Sequence, residues 1–194
     1  MKIENMIKMK NLLVAIVMIF TVSLSAQIDL KINPIGLLFN SPDISAEYMV
    51  SDELGVQLSL GLDYGKIAGS GILGIDAKKS GYRVNIMGKY YFSPDDGCDK
   101  FYAGLYLGPR SRKVKYTEDA TFNLNYKISA FTAGLATGYK WVGDSGFVFE
   151  IGIGAGRAFG EKIKYEDSNN TNEEGDGFGL DFIGTIAIGY RLGQ

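Results

Sequence analysis

Residues 54–65 read LGVQLSLGLDYG, and apolar side chains alternate there with small or polar ones without a break. Every second position is apolar: Leu54, Val56, Leu58, Leu60, Leu62 and Tyr64. A period of two predicts a β-strand with one apolar face and one small or polar face. The fold then depends on which face points inward, because a soluble barrel buries its leucines and a membrane barrel turns them towards lipid.

The same alternation recurs along the rest of the chain, and no stretch after residue 27 has a convincing period of 3.6 residues. The eight predicted strands begin near Ile28, Ile44, Leu54, Tyr82, Phe101, Phe131, Phe147 and Phe182. The first is expected to run on towards Leu38. The strands are close to the roughly 9–11 residues that a tilted transmembrane strand needs, and their number is even, as in bacterial outer-membrane barrels.

The predicted connections alternate in length. Short turns are expected at 51–53, 93–100 and 143–146, and long polar loops at about 66–81, 110–127 and 160–178. Only the first loop, residues 40–43, is short where a long one is expected. Such alternation is typical of an up-and-down barrel with one end in the periplasm and the other outside the cell.

The second face of the strands is mostly Gly, Ala, Ser and Thr, with a few large polar residues. Water-exposed strands normally carry long charged side chains, so this face fits a narrow lumen better than a soluble exterior. Because buried charges need partners, we predict that the large polar residues form one neutral lumen network of five acids and five bases. They are Asp29, Lys31, Glu47, Asp63, Arg83, Lys89, Lys140, Glu150, Asp181 and Arg191.

Aromatic residues of the apolar face fall near the strand ends, and aliphatic residues fill the strand middles. Tyr90, Trp141 and Tyr190 lie next to short turns, and Tyr64 and Tyr82 lie near long loops. Two aromatic girdles around an aliphatic band are typical of a membrane barrel. The sequence therefore predicts an all-β fold: residues 27–194 form an eight-stranded antiparallel up-and-down transmembrane β-barrel with a filled polar interior.

The first 26 residues have the composition of a secretory signal. Lys2, Lys8 and Lys10 precede an unbroken apolar run at residues 12–20, and Ser25-Ala26-Gln27 follows. The apolar run is shorter than the roughly 20 residues that span a bilayer. We predict a cleaved signal peptide at 1–26 and export to the cell outer membrane.

The composition excludes several kinds of chemistry. The chain has no histidine, so a Ser-His dyad or triad cannot form. Cys98 is the single cysteine, so an internal disulfide is excluded. The 20 Lys and Arg residues are scattered and the net charge is −2, which argues against a nucleic-acid partner. No catalytic residue, metal ligand or cofactor is predicted.

One basic stretch, PRSRKVKY at 109–116, follows the fifth predicted strand. It carries Arg110, Arg112, Lys113 and Lys115. At the outer rim these side chains would meet lipopolysaccharide phosphates, and we expect either an anchor to anionic lipid or charge that only solubilises the loop.

Several segments resemble a known type of protein. They are KINPIGLLF at 31–39, GKYYF at 88–92, AGLATGYKW at 133–141 and GTIAIGYRL at 184–192. Together they resemble a family of small eight-stranded outer-membrane β-barrels of unknown function, within the OmpA/OmpX-like class of Gram-negative bacteria. The resemblance covers the whole predicted barrel and implies its fold, but it implies little about activity.

Three functional hypotheses follow. The first is a non-enzymatic integral outer-membrane protein in contact with outer-membrane lipid and lipopolysaccharide. It would act through its exterior loops, as a structural or interaction module or as an accessory subunit of an envelope complex. The alternative is a narrow pore or small-ligand conduit. The third is a lipid-modifying enzyme, which the lack of histidine disfavours.

Overall fold

The computed structural model describes residues 27–66, 77–116, 125–166 and 172–193, and these form one closed barrel of eight antiparallel strands with a single short helix. Neighbours in sequence are neighbours in the barrel, and β8 pairs back with β1. The predicted signal peptide lies outside the described residues. The elements are β1 Ile28–Ile32, α1 Pro34–Leu38, β2 Asp43–Met49, β3 Leu54–Asp63, β4 Ala77–Tyr91, β5 Lys100–Tyr116, β6 Asn125–Val142, β7 Phe147–Glu166 and β8 Asn172–Leu192. The prediction of an eight-stranded up-and-down all-β fold is confirmed.

Strand length rises along the chain, from 5 residues in β1 to 21 in β8. Parts of the predicted long loops are therefore strand, because β5 continues to Tyr116 and β7 to Glu166, and β8 begins at Asn172. These extensions were missed because they have polar residues on both faces, so no alternation of apolar and polar residues marks them. The backbone ladder nevertheless continues through them, with register shifts between Ser129 and Phe131 and between Ala158 and Glu161. We call this end of the barrel the loop end, and the end with the short connections the turn end.

The connection between β1 and β2 also differs from the prediction. The first strand does not run towards Leu38, since β1 ends at Ile32 and α1 follows. The Asn33 side chain accepts a hydrogen bond of 3.0 Å from the Gly36 N–H, and Pro34 occupies the first turn, where its missing N–H has no cost. Within the described residues, no helix has the length and apolar composition needed to cross a membrane.

The barrel is apolar outside and polar inside. Leu105, Leu135 and Ile153 are 66–70% exposed on the outer face, whereas Lys89 and Glu150 are completely buried in the lumen. Exposed aromatic side chains border the aliphatic band at both ends. They are Tyr90, Phe92, Phe101, Trp141, Phe147 and Tyr190 at the turn end, and Tyr64, Tyr82, Phe131 and Phe159 at the loop end. The orientation of the two strand faces is thus the reverse of that in a soluble barrel.

Inward-facing glycines leave room for large side chains that cross the lumen. A Cβ added at Gly138 or Gly152 would stand 2.6 or 2.5 Å from the Tyr102 hydroxyl oxygen. A Cβ at Gly134 would likewise stand 2.6 Å from the hydroxyl of Tyr106. Atoms that close would clash, so the glycines on the inner face of β6 and β7 provide the space that the tyrosines of β5 occupy.

A charge placed in the middle of the apolar band tests whether this face lies in lipid. We expect Leu135→Arg to lower the free energy of unfolding in phospholipid vesicles by about 2–4 kcal/mol, because arginine is costly at the bilayer midplane. The matched control is Leu62→Arg, next to the loop-end girdle, with an expected loss of about 0–1 kcal/mol. Equilibrium urea unfolding measures both, and equal losses would contradict a membrane-embedded band.

Candidate functional site

The turn-end half of the lumen is filled by an ion network drawn from seven strands. Each of its members is at most 5% exposed. We call this set the turn-end cluster, and its members are Asp29, Lys31, Glu47, Gln57, Lys89, Lys140, Glu150 and Arg191.

Two lysines and two glutamates form the centre of the turn-end cluster. The Lys31 Nζ lies 2.5 Å from a carboxylate oxygen of Glu47 and 2.5 Å from one of Glu150. The Lys89 Nζ lies 3.1 and 2.6 Å from the same two carboxylates. Both ammonium groups also donate to the amide oxygen of Gln57 at 2.7 Å. Opposite charges therefore alternate around a closed ring, which offsets much of the cost of burying them.

Asp29 links this ring to the barrel seam. The Lys140 Nζ lies 2.7 Å from Asp29 and 3.0 Å from Glu47. The Arg191 guanidinium donates to both carboxylate oxygens of Asp29 at 2.8 and 3.1 Å. Asp29 is on β1 and Arg191 on β8, so this pair joins the first strand to the last.

Four bases face three acids in the turn-end cluster, and backbone carbonyls compensate the surplus. Arg191 donates to the carbonyl oxygens of Asp96 and Gly97 at 2.5 and 2.8 Å. Both belong to the connection between β4 and β5, residues 92–99. The turn thus contacts the inward-facing Arg191 side chain at the turn end of the lumen.

The conformation of this turn is unusual for its residues. Ser93, Cys98 and Lys100 have φ values of 51°, 45° and 69°, which non-glycine residues rarely adopt. The Cys98 N–H holds the turn by donating to the Asp52 carbonyl at 2.5 Å. Cys98 itself is buried, and burial raises the pKa of its thiol to about 12.

Three tyrosines add their hydroxyl groups to the lumen charges. Tyr91 donates to Glu47 at 2.5 Å and Tyr102 donates to Glu150 at 2.8 Å. Tyr106, further along β5, donates to Asp181 at 2.9 Å. The carboxylates therefore receive hydrogen bonds as well as ion pairs, which buried carboxylates require.

A second and more open network lies towards the loop end. Its members, the loop-end cluster, are Asp63, Lys79, Arg83, Arg110, Arg112, Glu161 and Asp181. The buried Asp181 accepts from Arg110 at 2.5 Å, and Arg110 also lies 3.2 Å from Glu161. Asp63 lies 2.8 Å from Arg112, whose side chain is 53% exposed. Water therefore reaches this cluster, unlike the turn-end one.

The structure places the ten predicted lumen residues on the inner face and divides them between the two clusters. Asp63, Arg83 and Asp181 belong to the loop-end cluster and the other seven to the turn-end cluster.

The four residues of the predicted basic stretch do not all point to the same side of the barrel wall. Arg110 and Arg112 point into the lumen as partners of Asp181 and Asp63, because β5 continues through them as a strand. By the same alternation Lys113 and Lys115 face outward, so the four residues do not form one surface.

Three members of the two clusters were not predicted. Gln57 shares the inward parity of Gly55 and Ser59 and could have been found from that alternation. Lys79 and Glu161 lie in strand extensions that the sequence predicts as loops, so no alternation indicated their direction.

A polar cavity of about 360 Å³, which we call the cup, occupies the lumen towards the loop end. Ser45, Ser59, Asn85 and Thr185 contribute to its wall, and Phe39 at the end of α1 contributes to its rim. The Asn85 Oδ1 is buried and has no hydrogen-bond partner among the described residues. Within that same part of the chain, no three His, Cys, Asp or Glu side chains are grouped so that they could hold a metal ion.

Comparison with known proteins agrees with this architecture. Residues 11–190 match the family described as "Protein of unknown function (DUF3575)", and the chain belongs to this family. Its fold is similar to that of a major outer membrane protein from Thermus thermophilus, with a TM-score of 0.51 over 86% of this chain and 99% of that chain. The two share 13% sequence identity, so the likeness extends to the fold alone. No curated protein matches the sequence.

Removal of one charge from the centre of the turn-end cluster tests its contribution to stability. We expect Glu47→Gln to lower the free energy of unfolding by about 3–5 kcal/mol, because three lysines then lose a shared carboxylate. Urea unfolding in vesicles measures the loss. The double variant with Lys89→Met removes one charge of each sign and should lose less than the sum of the two single variants, by roughly 0.5–3 kcal/mol. Strict additivity would contradict a coupled network.

The raised pKa of Cys98 predicts a thiol that reacts slowly. At pH 8 a thiol of pKa about 12 is roughly one ten-thousandth thiolate, against about a quarter for an ordinary thiol of pKa about 8.5. We expect N-ethylmaleimide to label Cys98 at least about a thousandfold more slowly than the exposed cysteine of Cys98→Ser/Ser145→Cys. Mass spectrometry follows the adducts, and unfolding in urea should equalise the rates. Equal rates in the folded proteins would show that the turn does not bury the thiol.

Proposed function

We propose that this member of the DUF3575 family is a non-enzymatic integral protein of the outer membrane that acts as a structural or interaction module, or as an accessory subunit of an envelope complex. The observation that carries the proposal is the inverted distribution of polarity in a closed barrel. Aliphatic side chains surround the outside, and ion pairs with no exposure to water fill the turn-end half of the inside.

The outer surface supports a location in lipid. Leu58, Leu60 and Ile86 are 44–50% exposed, and similar side chains recur on every strand. A soluble monomer rarely exposes a continuous apolar patch larger than a few hundred Å². A closed ladder also satisfies the backbone polar groups without water, which a sheet in a bilayer requires. Likeness of fold to an outer membrane protein is consistent with this location.

The orientation in the membrane follows from the connections. Outer-membrane barrels have short turns in the periplasm and longer segments outside the cell. The turn end, with its connections at 50–53, 92–99 and 143–146, is therefore assigned to the periplasm. The loop end, with the cup and the strand extensions, is assigned to the cell exterior and presents the surface available to a partner.

The turn-end cluster argues against the alternative function as a pore. The side chains of Lys31, Glu47, Lys89 and Lys140 are completely buried. Residues that water does not reach cannot line an aqueous channel, so ions have no path past this level. The absence of histidine from the sequence supports the non-enzymatic assignment.

Reconstitution of the purified chain tests the membrane assignment and the closed lumen together. We expect the protein to fold into phospholipid vesicles, to resist protease there and to give no conductance steps above background in planar bilayers. Stable folding in water without detergent would overturn the membrane assignment. Regular conductance steps would overturn the closed lumen and favour the pore.

Crosslinking in native membranes tests the role of the exterior surface. A cysteine at the loop end, Lys66→Cys in a Cys98→Ser background, is expected to form an adduct with another envelope protein. The matched control has its cysteine in the periplasmic turn, as Ser145→Cys in the same background, and should not form that adduct. A lone monomer from both variants would contradict an interaction module that works through its exterior.

A further inference from the structure

The wall of the cup includes a carboxylate that neither ion network neutralises. Asp43 is the first residue of β2, and its half-buried side chain belongs to neither cluster. Within the parts of the chain that the structure describes, no lysine or arginine nitrogen lies within 4.0 Å of this carboxylate. A carboxylate withdrawn from water normally has a cation or several donors beside it. Asp43 therefore has the capacity to bind a positively charged group in the cup.

The cup wall also includes an arginine that is held loosely. The Arg83 guanidinium lies 3.4 Å from a carboxylate oxygen of Asp181 and 3.5 Å from the carbonyl oxygen of Phe182. Both distances are at the limit of hydrogen bonding. Asp181 has nearer donors in Arg110, at 2.5 Å, and Tyr106, at 2.9 Å. A guanidinium has five N–H donors, so Arg83 keeps donors for a negatively charged group.

A glycine separates these two charges. The strand register places Gly61 of β3 opposite Asp43 on one side and opposite Arg83 on the other. A Cβ added at Gly61 would stand 3.0 Å from the Asp43 Oδ2 and 3.8 Å from the Arg83 Cβ. Neighbouring strands are about 4.8 Å apart, so the backbones that carry the acid and the base are about 10 Å apart. The small residue between them leaves a gap that a ligand with charges of both signs can bridge.

The wall below this gap has neutral polar groups and then apolar ones. Ser45, Ser59 and Asn85 lie opposite one another in the next inward-facing row of β2, β3 and β4. Met87 and Ala187, both 4% exposed, line the cup closer to the turn end. The charged groups are thus near the mouth of the cup, and the interior can accept an uncharged side chain.

We propose that the cup binds a zwitterionic amino acid, with the ligand's ammonium group on Asp43 and its carboxylate on Arg83. Hydrogen bonds between charged groups are roughly twice as strong as neutral ones, and arginine binds carboxylates in a bidentate geometry. A simple cation would leave Arg83 without a partner, and a simple anion would leave Asp43 without one. The volume of the cup, about 360 Å³, is at the lower end of the range for small-molecule sites.

This binding goes beyond the proposed function, because a structural or interaction module needs no small ligand. The buried Lys31, Glu47 and Lys89 close the lumen below the cup. The amino acid is therefore bound from the loop end and is not conducted through the barrel. In the proposed orientation that end faces the cell exterior, so the ligand comes from outside the cell.

Isothermal titration calorimetry of the full barrel, folded in a nonionic detergent, tests the proposal with each of the 20 standard L-amino acids as the probe. We expect at least one of them to bind saturably at one molecule per barrel. Its amide derivative lacks the carboxylate and its N-acetyl derivative lacks the ammonium group. Each derivative should bind about 10–100-fold more weakly, because a hydrogen bond to a charged group contributes roughly 1.5–3 kcal/mol. Absence of saturable binding by all 20 amino acids would overturn the proposal.

Two variants assign the ends of the ligand. Asp43→Asn should bind the amino acid about 10–100-fold more weakly and should no longer prefer it to its N-acetyl derivative. Arg83→Gln should show a similar loss and should no longer prefer the amino acid to its amide. The matched control, Asp144→Asn, removes an exposed carboxylate from the β6–β7 turn at the other end of the barrel and should bind as the unaltered chain does.

An equal loss of affinity in the Asp144→Asn control would overturn the proposal, as would an Asp43→Asn variant that still prefers the free ammonium group. These preferences are ratios between ligands, so partial unfolding of a variant does not imitate them. Failure of the proposed function is recognised separately. A chain that binds the amino acid in detergent but does not insert into phosphatidylcholine vesicles contradicts the membrane assignment alone, whereas a chain that inserts but binds none of the 20 contradicts the ligand alone.

Discussion

The charges buried inside the barrel determine how its strands pair and which side chains line its lumen. The carboxylates of Glu47 and Glu150 and the ammonium groups of Lys31 and Lys89 have no contact with water. An unpaired charge in that position costs several kcal/mol, so each must find its partner on another strand. A shift of one strand by one residue would turn its charged side chain towards lipid and leave a partner uncompensated. The ion network therefore adds to the register specificity that the alternation of apolar and polar faces already provides.

The glycines and tyrosines of the lumen follow from the same requirement. An eight-stranded barrel has an interior only wide enough for side chains. Tyr102 reaches from β5 to Glu150 on β7 because Gly138 and Gly152 leave its path clear. The small residues of one wall thus make room for the long residues of the opposite wall. The cup at the loop end is the part of the lumen that neither network fills.

The fold could be predicted from the sequence because strands in the apolar band have a strict period of two, as at residues 54–65. The inward direction of Lys31, Glu47 and Lys89 follows from that period alone. Prediction failed where the outer face ceases to be apolar. Lys79 and Glu161 lie in strand extensions that have polar residues on both faces. Arg110 and Lys113 point to opposite sides only because β5 continues through them as a strand, and a loop would not impose that alternation. The capped helix after Asn33 was missed because its apolar residues continue those of β1.

The increase in strand length from β1 to β8 gives the barrel a sloping rim. The ladder between β8 and β1 contains five residue pairs and ends at Ile188 opposite Ile32, whereas β8 pairs with β7 as far as Asn172. Among the described residues, the β1-facing edge of β8 beyond Ile188 has no strand beside it, and α1 occupies the low side of the rim. Within the same residues, the rim of the cup is consequently lowest beside α1, and Phe39 at the end of that helix contributes to the wall of the cup.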